Sequence, residues 1–238
     1  MLGMTNRQAS RHPGVLLVPG WDDDQQAFYR SVAQDIENLG WTCHTLNLPG
    51  TSASTERRQS ASRADHLRDM LTAYDALAAA PRVDSQAGAL IGVSYGGYLA
   101  AFVSAMRPVR WLLLRSPALY RDEGWATPKE LLDKEDLVQY RQRALKPRHN
   151  KALAACARFR GEALLIESAL DQIVPHAVSD NYAAALNGAR SMQREVIAQA
   201  DHELSQPEWQ QQLRDLLRGW LAQAAASTRG EVFGARTE

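Results

Sequence analysis

The hydrophobic positions of this chain follow two alternating patterns. Short, Leu-rich or β-branched apolar runs are separated by longer segments in which apolar residues recur at helical spacing. This alternation is typical of a parallel sheet covered by helices, because each parallel pair of strands needs a crossover connection. The predicted strands are residues 14–18, 41–48, 87–93, 109–114, 163–168 and 192–198.

The helical segments lie between these strands, and turn-forming residues end several of them. The predicted helices are residues 25–39, 61–80, 94–106, 177–186 and 206–226, with Gly40 after the first and Pro81 after the second. We therefore expect an α/β fold with a mainly parallel sheet of about six strands flanked by helices.

The segment after the fourth strand departs from this alternation. It contains no strand-like run and is rich in charged residues with helical tendency, which predicts a short helical cap insertion at about residues 117–160. The rest of the pattern fits a single domain over residues 14–226. Residues 1–13 are predicted to form an N-terminal arm, and residues 227–238 a flexible tail.

Composition and charge exclude several classes of partner. Lys plus Arg and Asp plus Glu both number 27 in the 238 residues, whereas nucleic-acid binders usually carry a basic excess. No apolar run approaches the roughly 20 residues that span a bilayer. Cys43 and Cys156 have no disulfide or zinc-ligand spacing. We expect a cytoplasmic protein with reduced thiols, no metal, and neither nucleic acid nor membrane as a partner.

The most specific motif is a G-x-S-x-G between the third strand and the following helix. It comprises Gly92, Ser94 and Gly96, with Val93 and Tyr95 between them. A serine on a sharp strand-to-helix turn has a strained backbone, and its neighbours two positions away must be small for the turn to close. The motif predicts that Ser94 is a nucleophile at the N-terminus of a helix.

A serine nucleophile needs a histidine base and a carboxylate that orients the base. Functional loops of a parallel sheet lie at the carboxyl ends of its strands, so the candidates must follow strands. Asp171 follows the fifth strand and His202 the sixth. His176 is the rival base, and Glu167 and Asp201 are the alternative acids.

The other four histidines lack that position. His12 lies in the N-terminal arm, His44 inside a strand, His66 on a helix that we expect to be exposed, and His149 in the insertion. None is expected to act as the base.

The chain order of Ser94, Asp171 and His202, together with the GVSYGG, D-x-x-V-P and A-D-H sequences, resembles the α/β-hydrolase superfamily. The resemblance is to its prolyl-oligopeptidase-like and dienelactone-hydrolase-like serine hydrolases, over about residues 15–221. It implies hydrolysis through an acyl-enzyme without a cofactor. It also implies an oxyanion hole formed by the backbone N–H groups of Trp21 and Tyr95.

The resemblance also implies a difference at the N-terminal edge of the sheet. Similar hydrolases usually place a two-strand antiparallel hairpin before the strand that begins here at Gly14, and 13 residues leave little room for it. We expect a reduced N-terminal edge, covered by the arm or by a second subunit in a homodimer.

Several charged or aromatic residues bear on the substrate, which we expect to be a small molecule. Arg115, at the end of the fourth strand, either binds a substrate carboxylate or forms a structural ion pair, and Trp125 in the insertion is a second candidate contact. The acidic triplet at residues 22–24 either caps the first helix or attracts a cation. The insertion also contains a basic run without acidic residues, which is either a solvated helix face or part of a lid that favours anionic substrates: Arg141, Arg143, Lys146, Arg148, Lys151, Arg158 and Arg160.

The leading functional hypothesis is a serine hydrolase that cleaves a carboxylic ester. An exopeptidase or amidase acting through the same residues is the alternative. A non-catalytic protein that encloses a small ligand in the same fold is the hypothesis from a different class.

Overall fold

Six parallel strands form a single sheet in the order β2-β1-β3-β4-β5-β6. The computed structural model describes residues 11–22, 24–51, 55 and 57–234, with the backbone alone for residues 227–234. The strands are β1 (His12–Val18), β2 (Thr42–Thr45), β3 (Val83–Val93), β4 (Trp111–Arg115), β5 (Glu162–Ser168) and β6 (Ser191–Ile197).

In the described part of the chain, seven α-helices connect and cover these strands. They are α1 (Gln26–Asn38), α2 (Arg63–Ala79), α3 (Tyr95–Met106), α4 (Lys134–Arg141), α5 (Lys151–Arg158), α6 (His176–Ala185) and α7 (Pro207–Gly234). Helices α2, α3, α5 and α6 pack on one face of the sheet, and α1 and α7 on the other. The predicted fold class is therefore confirmed as an α/β sandwich of three layers.

The central strands are buried on both faces, which explains their continuous apolar runs. Leu16 and Leu90 belong to the core on the α3 side, whereas Leu17 and Ile91 belong to the core on the α7 side. This alternation follows from the two-residue period of a strand. Each layer therefore receives every second side chain of β1 and β3.

The boundaries of some elements differ from the prediction. Strand β3 begins at Val83, four residues before the predicted start, and β2 is limited to four residues at the edge of the sheet. Helix α7 continues to Gly234 through most of the predicted flexible tail. Residues 1–10 of the predicted arm and 235–238 of the tail lie outside the described residues. No strand precedes β1 in the part of the chain that is described.

The connection from β4 to β5 contains the predicted insertion. A short 3₁₀ helix at Lys129–Leu131 and α4 lie over the carboxyl ends of the strands, whereas α5 packs against the sheet with α3. The start of α2 holds this connection in place. Arg63 donates hydrogen bonds to the carbonyl oxygens of Arg121 (2.6 Å) and Glu123, and the Lys129 N–H donates to Ala61 O (3.0 Å). We use the name cap for residues 121–150.

No helix in the described part of the chain is long and apolar enough to cross a bilayer.

Candidate active site

Ser94 lies on a sharp turn between β3 and α3. Its backbone has φ 50° and ψ −112°, a region that residues with a side chain rarely adopt. The flanking glycines allow the turn to close. A Cβ atom on Gly96 would lie 2.2 Å from Val18 O, and one on Gly92 would lie 2.6 Å from Gly96 O. The turn therefore requires glycine at both positions, as the motif predicts.

The structure brings the three predicted residues of the triad together. His202 Nε2 lies 3.0 Å from Ser94 Oγ, and His202 Nδ1 lies 2.7 Å from Asp171 Oδ2. Asp171 is in the loop after β5, where its Oδ1 accepts hydrogen bonds from the N–H groups of Ile173 (2.9 Å) and Val174 (2.7 Å). His202 is in the loop after β6, at the same edge of the sheet.

The hydrogen bonds to Asp171 determine which ring nitrogen of His202 carries the proton. Burial favours the neutral acid, but the hydrogen bonds from His202, Val174 and Ile173 outweigh burial and hold the pKa of Asp171 below its usual value. The carboxylate therefore accepts a hydrogen bond from His202 Nδ1. Since Nδ1 then carries the proton in neutral His202, Nε2 is free to accept the hydrogen bond from the Ser94 hydroxyl.

Arg115 holds the loop that carries His202. Its buried guanidinium donates to the carbonyl oxygens of His202 and Asp201 (3.2 Å to the latter) and to Ser168 Oγ (2.6 Å). The residue also borders the cavity over Ser94. Burial raises the pKa of Asp201, but hydrogen bonds from Ser205 and Leu204 and the charge of Arg115 outweigh burial and lower it. Arg115 therefore has a structural role that is partly electrostatic, and its contact with a substrate stays a prediction.

The backbone N–H groups of Trp21 and Tyr95 are the predicted oxyanion donors. Trp21 follows β1, Tyr95 begins α3, and both residues border the same cavity as Ser94. Neither N–H donates a hydrogen bond to another atom of the described residues. The first N–H groups of a helix have no partner within the helix, so the position of Tyr95 leaves its donor free. The oxyanion hole formed by these two N–H groups stays a prediction.

The prediction that His66 is exposed is wrong. His66 is fully buried on the inner face of α2, together with Met70, Tyr74 and Leu77. Its Nδ1 lies 2.8 Å from the Tyr95 hydroxyl and its Nε2 lies 2.8 Å from Pro49 O. The i, i+4, i+8, i+11 spacing of these four residues is the sequence signal that indicates the buried face.

A cavity of about 440 Å³ lies over Ser94 and His202. The cap forms its roof, and the loops after β1, β5 and β6 form its sides. The lining residues are Gly20, Trp21, Asp22, Asp24, Gln25, Val93, Ser94, Tyr95, Arg115, Tyr120, Lys129, Lys134, Leu137, Val138, Arg141, Gln172, Ile173, His202 and Glu203.

The cap contributes cations to this cavity, but not in the way that the basic run predicts. In the described part of the chain, Arg141 is the one residue of that seven-residue basic run that borders the cavity. Lys129 and Lys134, which precede the run, also border it. No sequence pattern indicates these two lysines, because the path of a cap without a strand or a long helix does not follow from hydrophobic periodicity.

Two further predictions need correction. Trp125 does not border the cavity; its ring packs against Phe102 (5.1 Å between centroids) and under the Arg63 guanidinium (5.4 Å). Within the acidic triplet, Asp22 forms an ion pair with Arg58 (2.7 Å), and α1 has Gln25 at its N-cap without a side-chain cap. Neither Asp22 nor Asp24 therefore caps the N-terminus of α1, and Asp23 lies outside the described residues.

The rival base and the first alternative acid form a separate pair. His176 Nδ1 lies 2.8 Å from Glu167 Oε2, and Arg194 Nε lies 2.7 Å from Glu167 Oε1. Neither His176 nor Glu167 borders the cavity over Ser94. Among the described residues, no group of three or more His, Cys, Asp or Glu side chains is placed to hold a metal ion.

The fold and the strand-to-helix serine turn define the class of this protein as an α/β hydrolase. The chain matches the model of the prolyl oligopeptidase family over residues 29–228, and it belongs to that family. It is therefore a serine hydrolase. A comparison with curated protein sequences found no match to the chain.

Solved structures of several hydrolases share this fold. Est1E from Butyrivibrio proteoclasticus, solved with ferulic acid, has a TM-score of 0.70 at 14% identity and covers 91% of this chain and 90% of its own. The monoacylglycerol lipase of Paleococcus ferrophilus has a TM-score of 0.66 at 18% identity, with coverage of 90% and 97%. A dienelactone hydrolase from Anabaena variabilis has a TM-score of 0.63 at 20% identity, with coverage of 88% and 85%.

Proposed function

We propose that this protein hydrolyses carboxylic esters through an acyl-enzyme formed on Ser94. The observation that carries the proposal is the hydrogen-bonded series of Ser94 Oγ, His202 Nε2, His202 Nδ1 and Asp171 Oδ2, with distances of 3.0 and 2.7 Å, at the base of an open cavity. A serine hydroxyl alone is a weak nucleophile, and this arrangement supplies the base and the group that orients the base.

In the first half of the reaction, Ser94 Oγ attacks the ester carbonyl carbon while its proton moves to His202 Nε2. The tetrahedral intermediate places its oxyanion against the N–H groups of Trp21 and Tyr95. A donor of this kind contributes about 10²- to 10³-fold to the rate. His202 then gives the proton to the leaving alkoxide, the carbon–oxygen bond to the alcohol breaks, and the acyl group remains on Ser94.

In the second half, a water molecule takes the place of the alcohol. His202 removes a proton from the water, the hydroxide adds to the acyl carbonyl, and the oxyanion occupies the same two N–H groups. Collapse of this intermediate breaks the bond to Ser94 Oγ, which receives the proton from His202. The products are a carboxylic acid and an alcohol, and the enzyme returns to its starting state.

Amide or peptide hydrolysis is the second candidate, because the family to which the chain belongs is described by an oligopeptidase activity. The same residues serve both reactions, but an amine leaves less readily than an alkoxide, so His202 must protonate it. A matched 4-nitrophenyl ester and 4-nitroanilide of the same acyl group separate the candidates. We expect turnover of the ester; a larger kcat/KM for the anilide would favour the peptidase.

Labelling with a fluorophosphonate tests the hydrolase mechanism directly. We expect the wild type to be labelled and Ser94→Ala to be unlabelled. His202→Ala should lower kcat by roughly 10⁴-fold or more. His176→Ala is the matched control, since this histidine lies near Asp171 in sequence but not at the cavity. A wild type that is not labelled would favour the non-catalytic ligand-binding hypothesis.

A further inference from the structure

The cavity over Ser94 contains two cationic groups from the cap that have uncharged partners. Arg141 is buried, and its Nε and Nη1 donate to the carbonyl oxygens of Leu119 and Ile173, each at 3.1 Å. Its guanidinium also lies 5.1 Å from the centroid of the Tyr120 ring. Carbonyl oxygens and an aromatic ring orient the guanidinium without neutralising it.

Lys129 occupies an aromatic box beside the nucleophile. Its Nζ lies 4.6 Å from the ring centroid of Trp21, 5.4 Å from that of Tyr95 and 5.7 Å from that of Tyr120. These are distances at which an ammonium group is attracted to the faces of aromatic rings. Trp21 and Tyr95 are also the residues whose N–H groups lie beside Ser94, so the box places the ammonium close to the reacting centre.

Neither cation has a carboxylate partner at ion-pair distance among the described residues. The acidic group next to Lys129 in sequence, Glu130, is bound instead to Arg58 (3.0 Å) and to Trp21 Nε1 (3.3 Å). Asp22, Asp24 and Glu203, which border the cavity, are exposed to solvent. Lys129 and Arg141 therefore face the cavity without a carboxylate of the described residues at ion-pair distance, whereas Asp22, Asp24 and Glu203 lie at its rim.

Buried charges in proteins are normally paired, because removing an ion from water is costly. Arg141 is buried and Lys129 is half-buried, and neither has a carboxylate partner in the part of the chain that is described. In a cavity that admits substrate, these charges are explained if the substrate supplies the opposite charge. Both cations border the same cavity and lie within 6 Å of the Tyr120 ring centroid, so an anion bound in this cavity is attracted by both of them.

We propose that Lys129 and Arg141 determine specificity for esters that carry a carboxylate, and that they bind this carboxylate next to Ser94. The proposal rests on the ester hydrolysis proposed above. An ester with a single free carboxylate therefore has a higher kcat/KM than its neutral analogue of the same length. A charge-assisted hydrogen bond to a carboxylate changes binding by roughly ten- to hundredfold.

Two pairs of substrates test the proposal and distinguish the two ends of the ester. The first pair is the 4-nitrophenyl hemiester of glutaric acid and the 4-nitrophenyl ester of pentanoic acid, in which the charge is on the acyl group. The second pair is 4-acetoxybenzoate and its methyl ester, in which the charge is on the leaving group. A preference for the anion in at least one pair supports the proposal. Turnover of the neutral esters without preference in either pair overturns it.

Variants then assign the preference to these residues. Lys129→Met and Arg141→Gln should lower the ratio of kcat/KM for the anionic over the neutral ester by about tenfold or more. Arg143→Met is the matched control, because Arg143 is an exposed cation of the cap outside the cavity, and its ratio should equal that of the wild type. Equal ratios in the wild type and both Lys129→Met and Arg141→Gln would contradict the proposal.

The same experiment separates failure of this proposal from failure of the proposed function. An enzyme that is labelled by fluorophosphonate and hydrolyses both members of a pair equally is an esterase without the anion site. An enzyme that is neither labelled nor active on any of the four esters refutes ester hydrolysis itself. Since Arg141 is buried, circular dichroism and thermal unfolding of Arg141→Gln show whether a loss of activity reflects a loss of folding.

Discussion

The Nδ1 atom of His66 lies 2.8 Å from the hydroxyl oxygen of Tyr95, the residue that follows the nucleophile, and its Nε2 lies 2.8 Å from Pro49 O. A carbonyl oxygen can only accept, so Nε2 carries the proton and Nδ1 accepts a hydrogen bond from the Tyr95 hydroxyl. Burial lowers the pKa of His66, although the Pro49 carbonyl acts in the opposite direction. Neutral His66 therefore links α2 to the first residue of α3.

This hydrogen bond predicts coupling between the two residues. Tyr95→Phe leaves a buried ring nitrogen of His66 without a donor, which should lower the free energy of unfolding by about 1–3 kcal/mol. His66→Leu should also destabilise the protein, but the double variant should lose less than the sum of the two single losses. Urea unfolding of the four proteins at pH 8 measures the coupling. Additive losses would show that the two side chains do not interact.

Arg115 is predicted to act on the rate through the position of His202. Arg115→Met removes the donors to the His202 and Asp201 carbonyl oxygens, so the loop after β6 loses its fixed position. We expect kcat to fall by about tenfold or more for neutral and carboxylate-bearing esters alike, because a displacement of about 1 Å in a catalytic group is this costly.

The alternative role of Arg115, a direct contact with a substrate carboxylate, predicts a different result. Arg115→Met would then raise KM for the carboxylate-bearing ester and leave the kinetics of the neutral ester unchanged. Steady-state measurements of kcat and KM for both esters decide between the roles. Arg115→Lys is a useful second variant, since it keeps the charge but cannot reach the three acceptors together.

Gly96 in the serine turn is predicted to be irreplaceable. A Cβ atom on Gly96 would lie 2.2 Å from Val18 O, a backbone atom of β1 that cannot rotate away. Gly96→Ala should therefore destabilise the protein by about 1–3 kcal/mol or more and move the Tyr95 N–H away from Ser94. Thermal unfolding and fluorophosphonate labelling measure the two effects.

A second glycine provides the control for this variant. Gly219 lies in α7 and has no atom within 4 Å of the position that its Cβ would occupy. Gly219→Ala should raise the free energy of unfolding by about 0.5–1 kcal/mol, because alanine loses less backbone entropy in a helix. If Gly96→Ala were as stable and as reactive as Gly219→Ala, the close contact in the turn would be refuted.

The parts of this molecule that the sequence predicts are those governed by local physics. Strands buried on both faces, such as β4 and β5, require uninterrupted apolar runs, and the G-x-S-x-G turn requires small residues around Ser94. Asp171 and His202 could be selected because carboxyl ends of parallel strands share one edge. These requirements act on neighbours in sequence, so a single chain displays them.

The parts that could not be predicted depend on contacts between distant segments. Lys129 lies in its aromatic box because Trp21, Tyr95 and Tyr120 converge on it from distant segments, and no local pattern encodes that convergence. The contact of Trp125 with Phe102 likewise depends on how the cap folds back. His66 is different, because its helical spacing with Met70 and Tyr74 indicates that it lies on the buried face of α2. The prediction failed because a polar residue was assigned to the exposed face.

The ion pair between His176 and Glu167 predicts a dependence of stability on pH. The hydrogen bond with Glu167 raises the pKa of His176 above its ordinary value of about 6.5, despite some burial. A group with a raised pKa stabilises the fold fully below its unfolded pKa and loses that contribution as pH rises through its folded pKa. For Glu167, burial favours the neutral acid, but hydrogen bonds from Arg194 and His176 outweigh burial and lower its pKa. Its contribution is therefore lost as pH falls below about 4.5.

These two opposite pH dependences define the pH range in which the ion pair stabilises the fold. His176→Ala should lower the unfolding temperature most between about pH 4.5 and 6.5, where His176 is protonated and Glu167 is ionised, and less at pH 8.5. In a Glu167→Gln background the effect of His176→Ala should vary less with pH, because the main partner charge is gone and only the weaker influence of Asp180 remains. Thermal unfolding at pH 5.5 and 8.5 for the four proteins measures both. An equal loss at the two pH values in the wild-type background would mean that the pair does not stabilise the fold through its charge.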